Sequence, residues 1–346
     1  MIVSSAPVRL SLAGGSSDLP EYYREHGCEL LAAALNRRVL VRLWPHRGIL
    51  VRDQAEVSAS RVADLPRTLL RCVLEHYRVD GDVRVEIDSD VSAGSGLGWS
   101  GALGVALVGA IAEYAGCPAT PADAAALAFR LEREQLGRTV GQQDPWAAAL
   151  GGVMRLTIDT DGTVRARREP ELERCLAPML DRSLLMFLTP LRRSSSSVLD
   201  VQLRRLRTDG TPTAGAMHLI AALVQPFEQG LRGSDVYRLG EVLHTHWTAK
   251  RAASPLASTG EVDDWYAMAR GAGAVGGKII GAGGGGYLLF ACPEDRAADV
   301  TRVLTGAGLS RVPVALEPEG LTVAMPEDGQ GLSLAAGPFS AEGDGD

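Results

Sequence analysis

The chain has 346 residues, of which 46 % are hydrophobic and 22 % charged, and its formal net charge is −7. That length suits one large domain or, better, two with a sizeable core, and the acidic balance excludes a general nucleic-acid binder while leaving room for a local basic pocket. The five cysteines, Cys28, Cys72, Cys117, Cys175 and Cys292, are far apart and form no CxxC pair, so neither a zinc site nor a disulfide framework is expected.

The start, MIVSSAPVRL, lacks the basic-then-apolar order of a signal peptide. Residues 1–12 alternate as a strand, and GGSSDLPEYY turns into a short helix. Leu40–Leu43 and Ile49–Arg52 read as strands around the turn WPHRG, and residues 66–78 carry apolar residues at helical spacing. VRVEIDSDV, 83–91, alternates as a strand and leads into a glycine loop. Helices are expected over 101–115 and 121–136. The apolar run around 101–112 suits a buried helix better than a bilayer span. A hairpin follows, with its turn at Asp161–Gly162. The second half opens with a strand at 183–190 and continues with helices near 196–207, 214–231 and 234–252. GKIIGAGGGGYLLFAC is a second glycine loop, feeding a strand. The expected domains are 1–180 and 181–325. Residues 326–346, Gly-rich and acidic, are expected to form a disordered tail. The expected setting is cytoplasmic, with reduced thiols and no membrane or nucleic-acid partner. All but two of the 35 basic residues are arginines, the exceptions being Lys250 and Lys278, a bias that coding composition explains.

Gly96, Gly98 and Gly101 fit G-x-G-x-x-G, as do Gly281, Gly283 and Gly286. A dinucleotide site needs a helix and then a strand ending in an acid about twenty residues on. The first loop lacks that strand and the second runs into a strand instead of a helix. GLGWSGA also lacks the Gly-Lys-Ser/Thr of a P-loop. What remains is a phosphate-binding helix start of another type, in which small residues let the backbone approach an anion and unpaired N–H groups hold it.

Three stretches, SSAPVRLSLAGGSSDLPEYY, AGSGLGWSGA and GKIIGAGGGGYLLF, resemble in order and spacing the three motifs of the GHMP kinase superfamily. Within it, AGGSSDLPEYY, LEREQLGRTVGQQDPWAAALGG, RRSSSS and the W-x-x-K of HWTAK resemble the heptose 7-phosphate kinases. The resemblance implies an α+β, two-domain fold with an N-terminal domain like ribosomal protein S5 domain 2 and a C-terminal ferredoxin-like domain. It implies ATP and Mg²⁺ as cofactors and a sugar or sugar phosphate as substrate. The implied reaction is phosphorylation of the anomeric hydroxyl of a heptose 7-phosphate or a related sugar such as an octose 8-phosphate, toward a nucleotide-activated sugar. A kinase for a free sugar such as fucose, a catalytically silent sugar sensor, and a homodimer all stay open.

The resemblance also implies residue roles. Ala93, Gly94, Ser95, Gly96, Leu97, Gly98 and Ser100 would cradle ATP, Ser100 and Glu132 would hold Mg²⁺, and Asp144 with Arg9 would be catalytic. Gly14, Gly15, Ser16, Asp18, Arg193, Ser194, Ser195, Lys250, Gly283 and Gly284 would bind the sugar substrate. Plainer readings exist: Glu132 as a solvated member of LERE, Asp144 as a helix cap, Asp18 as the cap of the LPEYYREH helix, and Arg193 in an exposed basic turn. His244 and His246 are not a metal pair, because residues two apart on a helix do not share a face. Trp99 stands where the family has a serine, Ser92 where proline is common, and Gln142 where lysine is common.

Overall fold

The computed structural model describes residues 1–325 except residue 54, residues 192–194 and residues 209–210. Arg193, Ser194 and the tail expected over 326–346 therefore lie outside the described residues. The first half contains β1 (Ile2–Ala13), α1 (Pro20–His26), β2 (Cys28–Pro45), β3 (Ile49–Arg52), β4 (Glu56–Ala59), α2 (Leu69–His76), β5 (Val83–Ser89), α3 (Trp99–Tyr114), α4 (Pro121–Arg130), α5 (Gln143–Leu150), β6 (Val153–Ile158) and β7 (Val164–Arg168). The second contains α6 (Pro170–Leu176), β8 (Leu184–Leu188), α7 (Ser195–Thr208), α8 (Thr211–Ala222), α9 (Val224–Arg232), α10 (Val236–Ala253), α11 (Gly260–Gly271), β9 (Gly276–Ile279), β10 (Tyr287–Ala291), α12 (Ala297–Gly306), β11 (Ser310–Arg311) and β12 (Thr322–Ala324).

The long strand β2 is the spine of the first sheet. Its first part, Cys28–Ala33, pairs with β6, and its last part, Val39–Pro45, pairs with β5. Strand β1 runs antiparallel along its other edge and is buried at every residue. The β1–β2 register breaks between Pro7 and Arg9. A break of this kind bends the strand and re-aims the side chains after it, and Arg9 is the side chain that follows. Helix α3 is apolar all round and buried from Gly101 to Ala112, the pattern of an interior helix. It packs on β1, β2, α4 and α5.

The second sheet is antiparallel in the order β11-β8-β10-β9. With helices after its first and third strands, this is a ferredoxin-like β-α-β-β-α-β arrangement. Phe187, Trp247 and Phe290 fill the core between this sheet and its helices. The larger core is continuous across both halves, joining Leu30 and Val105 to Phe227, Leu243 and Ile280.

Several elements differ from the sequence reading. Strand β2 begins at Cys28, well before Leu40, because the run LLAAAL is buried on both sides and shows no alternation. The helix expected over 214–231 is two helices, α8 and α9, separated at Leu223. Strand β12 lies in the span expected to form the second domain, 181–325, yet pairs with β1 at the edge of the first sheet.

The two glycine loops meet backbone to backbone. Gly96 and Gly286 have φ of +87° and +88°, and a Cβ would lie 2.4 Å from the Ile280 carbonyl oxygen or 2.2 Å from that of Ser95. Nothing lies within 4 Å of a Cβ added to Gly306 in α12. Gly286→Ala is therefore expected to cost about 2–4 kcal/mol, while Gly306→Ala is neutral or slightly stabilising. Paired thermal melts check this, and a Gly286→Ala protein that melts with the wild type would remove the constraint.

Candidate functional site

A cleft of about 590 Å³ opens where the two glycine loops face the ends of β1, α5 and α10. Arg9 is its centre. Its backbone N–H donates to the Leu97 carbonyl at 2.8 Å, Nε donates to Asp144 Oδ1 at 2.7 Å, and Nη1 donates to the Gly96 carbonyl at 2.5 Å. The Arg9 side chain is 6 % exposed and that of Asp144 34 %, so the guanidinium is fixed while the carboxylate still faces the cleft.

Gly98 takes the left-handed conformation and starts α3 with no side-chain cap. The first-turn N–H groups of α3 are thus available to an anion. Helix α3 starts at Trp99, two residues before the expected start. The Trp99 indole packs against the core, and its Nε1 donates to Ser89 Oγ at 3.1 Å. Ser100 Oγ donates to Glu132 Oε1, which also accepts from Arg138 Nη1 at 3.0 Å. Glu132 is buried, not a solvated member of its charge run. It sits in a π-helical turn, Leu131–Gln135, that extends α4, a local widening common at functional sites.

Asp18 caps a helix, but not the one after it. Leu19 stands at the start of α1 without a side-chain bond. Asp18 Oδ2 instead accepts from the Gln143 N–H at 2.8 Å, the first residue of α5, and Oδ1 accepts from the Ser16 N–H at 3.1 Å. Burial, together with the nearby Asp144 charge, raises the Asp18 carboxyl above its usual range, against the backbone hydrogen bond from Gln143. Asp144, one residue further on, is not the helix cap, because Gln142 holds that position.

The cleft is lined by Arg9, Gly15, Ser16, Asp18, Ala93, Gly94, Gly96, Gly98, Ser100, Glu132, Asp144 and Lys250. Other expected residues stand behind its wall. Leu97 is in the core, and Ser95 Oγ is buried without a partner among the described residues. Gly14 packs on the Glu29 carbonyl and Val224. Gly283 packs on the Ala257 backbone and Gly284 N–H donates to its carbonyl at 2.8 Å; neither is among the residues that line the cleft. Ser195 opens α7.

Sequence reading missed Lys278, His246 and Arg138, all of which line the cleft. Lys278, one of two lysines in the chain, sits mid-strand in GGKI, a signal that was available. Its Nζ donates to the Leu12 carbonyl at 2.9 Å and lies 3.4 Å from His246 Nδ1. His244 points elsewhere, to the Tyr266 hydroxyl at 2.7 Å. The two histidines occupy different faces, as expected, and no cluster of three or more His, Cys, Asp or Glu suited to a metal occurs among the described residues. Lys250 Nζ donates to the Gly281 carbonyl in the second glycine loop. Burial, then the Arg9 charge, pushes Lys250 down to about 7. Burial and neighbouring positive charges hold Lys278 and His246 well below their usual ranges. Burial and the crowding of basic groups disfavour their charged forms in this cleft, and an anion beside them would favour those forms.

The sequence pattern of the GHMP kinases N terminal domain matches residues 64–152, and that of the GHMP kinases C terminal domain matches residues 221–308. The chain is 27 % identical over 313 residues to a D-glycero-alpha-D-manno-heptose 7-phosphate kinase of Campylobacter jejuni, covering 84 % of this chain and 88 % of that one. It is 25 % identical over 353 residues to a mevalonate kinase of Thermococcus gammatolerans, covering 93 % and 98 %. Its fold is similar to that of a D-glycero-D-manno-heptose 1-phosphate kinase from Bacteroides thetaiotaomicron, with a TM-score of 0.76, 24 % identity and coverage of 94 % and 100 %.

Lys250 makes the stability depend on pH in a defined direction. Its folded value of about 7 lies below the ordinary 10.5. Its charged form therefore weighs on the fold fully below about pH 7, and the burden fades as pH rises toward 10. Lys250→Met is expected to melt above the wild type by a margin that is largest at about pH 6 and shrinks steadily toward about pH 10. A margin that stays constant across that range would show that Lys250 is not depressed.

Proposed function

Since this chain belongs to the GHMP kinases, we propose that it transfers the γ-phosphoryl group of ATP to the anomeric hydroxyl of a heptose 7-phosphate or a similar sugar phosphate. The observation that carries the reading is the Arg9–Asp144 ion pair at the uncapped start of α3. A kinase needs a phosphate cradle, an oxygen-donor site for a metal ion, and a group to accept the hydroxyl proton. The loop Ala93–Ser100 serves as the cradle. Asp144 accepts the proton of the attacking hydroxyl, whose oxygen then bonds the γ-phosphorus as ADP leaves. Arg9 holds Asp144 in place and offsets charge on the transferred group. Asp18, Gly15 and Ser16 bind sugar hydroxyls from the opposite wall, and Lys250 adds positive charge between the glycine loop and the sugar.

Ser100 and Glu132 fit Mg²⁺, because a hydroxyl and a buried carboxylate in contact, beside the cradle, are the hard oxygen donors that ion prefers. When bound, Mg²⁺ would neutralise charge on the phosphate oxygens. The similarity to a heptose 7-phosphate kinase along most of both chains supports the substrate class. The intact Arg9–Asp144 and Ser100–Glu132 pairs weigh against a silent sensor.

An ADP-release screen over heptose 7-phosphate, octose 8-phosphate, free sugars and mevalonate tests the reading. Turnover with mevalonate and with no sugar phosphate would overturn it. Asp144→Asn should retain ATP binding and lose about 10²–10⁴-fold in turnover, and retention of more than about a tenth would exclude Asp144 as the base. Arg9→Ala should be comparably harmful without adding to Asp144→Asn, since the two act as a unit. Ser100→Ala should raise the Mg²⁺ concentration needed for half-maximal rate. Trp99→Ser should leave that concentration unchanged and lower the melting temperature; the reverse pattern would move the metal site by one residue.

A further inference from the structure

We propose that a groove beside the cleft, where Arg133, Arg138, Arg204 and Arg207 converge, binds the distal phosphate of the sugar-phosphate substrate. The inference rests on the reading of the chain as a sugar-phosphate kinase and adds the site that would select the phosphorylated sugar. The groove has a volume of about 360 Å³ and shares Arg138 and Thr139 with the cleft. A sugar held with its reacting hydroxyl at Asp144 therefore has a continuous path past Thr139 into it. No residue of the first glycine loop lines the groove, so it is separate from the cradle for ATP.

Its charge is unbalanced. Four arginines line it against two carboxylates, Glu21 and Asp200. Arg133 donates to Glu21, and Arg207 stands 3.7 Å from the same oxygen, Glu21 Oε1. Arg138 is shared with Glu132, and Asp200 accepts from the Thr139 hydroxyl. Among the described residues the Arg204 side chain makes no ion pair or hydrogen bond, and it is exposed. Arg133 and Arg138 come from the segment after α4, while Arg204 and Arg207 come from α7. A phosphate between them would be gripped by both halves of the protein. Guanidinium groups suit it because their paired N–H donors match phosphate oxygens. In a chain of net charge −7, so local a positive excess calls for an anion.

The test uses the full chain and isothermal titration with D-glycero-D-manno-heptose 7-phosphate and with the same heptose unphosphorylated, each in the presence of a non-hydrolysable ATP analogue. The double variant Arg204→Ala/Arg207→Ala should bind the phosphorylated sugar about 10- to 100-fold more weakly and the unphosphorylated one as before. Arg204→Lys/Arg207→Lys should recover part of the loss, because charge is retained. Both positions are exposed, and unchanged melting curves would show that the variants fold. If the wild type prefers the phosphorylated sugar and the alanine variant keeps that preference, the groove is not the site and the substrate reading stands. Equal losses on both sugars would likewise overturn the groove. If the wild type shows no preference for the phosphorylated sugar, the substrate reading fails and the groove has no phosphate to bind.

Discussion

The contact between the two glycine loops is the constraint on which the site depends. Gly96 and Gly281 are 185 positions apart, yet a Cβ on Gly281 would fall 2.6 Å from the Gly96 Cα. Backbones this close leave no room for side chains, and the left-handed conformations there exclude most other residues. The contact sets the first-turn amides of α3 against the end of β9, and it brings Lys250 and Lys278 within reach of Arg9. Without it the chain would hold a phosphate-type loop on one sheet and a cationic helix on another, with no shared cleft.

The cleft gathers basic and acidic side chains in one place. Arg9, Lys250, Lys278 and His246 are all buried, and their hydrogen bonds run to carbonyls, to Asp144 and to each other. The carboxylates of Asp18 and Asp144 line the same cleft. Burying like charges together costs stability, which the depressed lysines and histidine register. Proteins keep such arrangements where a ligand supplies the missing counter-charge. The phosphates of the nucleotide that GHMP kinases use are a ligand of that kind.

The helix starts show the same economy of parts. Asp18 satisfies the first N–H of α5 from across the fold, which leaves Asp144 free of that duty and open to the cleft. Gly98 caps nothing, which leaves the start of α3 open as well. Trp99 lines the cleft beside Ser100, and its indole N–H is satisfied by Ser89. A bulky residue is thus tolerated beside the cradle because its ring finds a place on the strand before it.

Part of the cleft was legible in the residues themselves: the glycine spacing before α3 marks a helix start able to take an anion, because small residues let the backbone approach it. The roles expected of Ser100 and Asp144 came from the resemblance of their motifs to the GHMP kinases, not from spacing. Local periodicity also placed most helices and the hairpin. Three things required the tertiary structure. Strand β2 was obscured because a run buried on both sides carries no alternation to read. The parts played by Asp18, Lys278 and His246 were hidden because their partners lie far along the chain: Asp18 on Gln143, Lys278 on Leu12 and His246. The arginine groove assembles from the segment after α4 and from α7, and neither stretch alone differs from an ordinary solvated charge run. Sequence spacing reports what neighbours along a helix or strand share; whether a charge is buried, and beside which other charge, is decided only when distant segments pack.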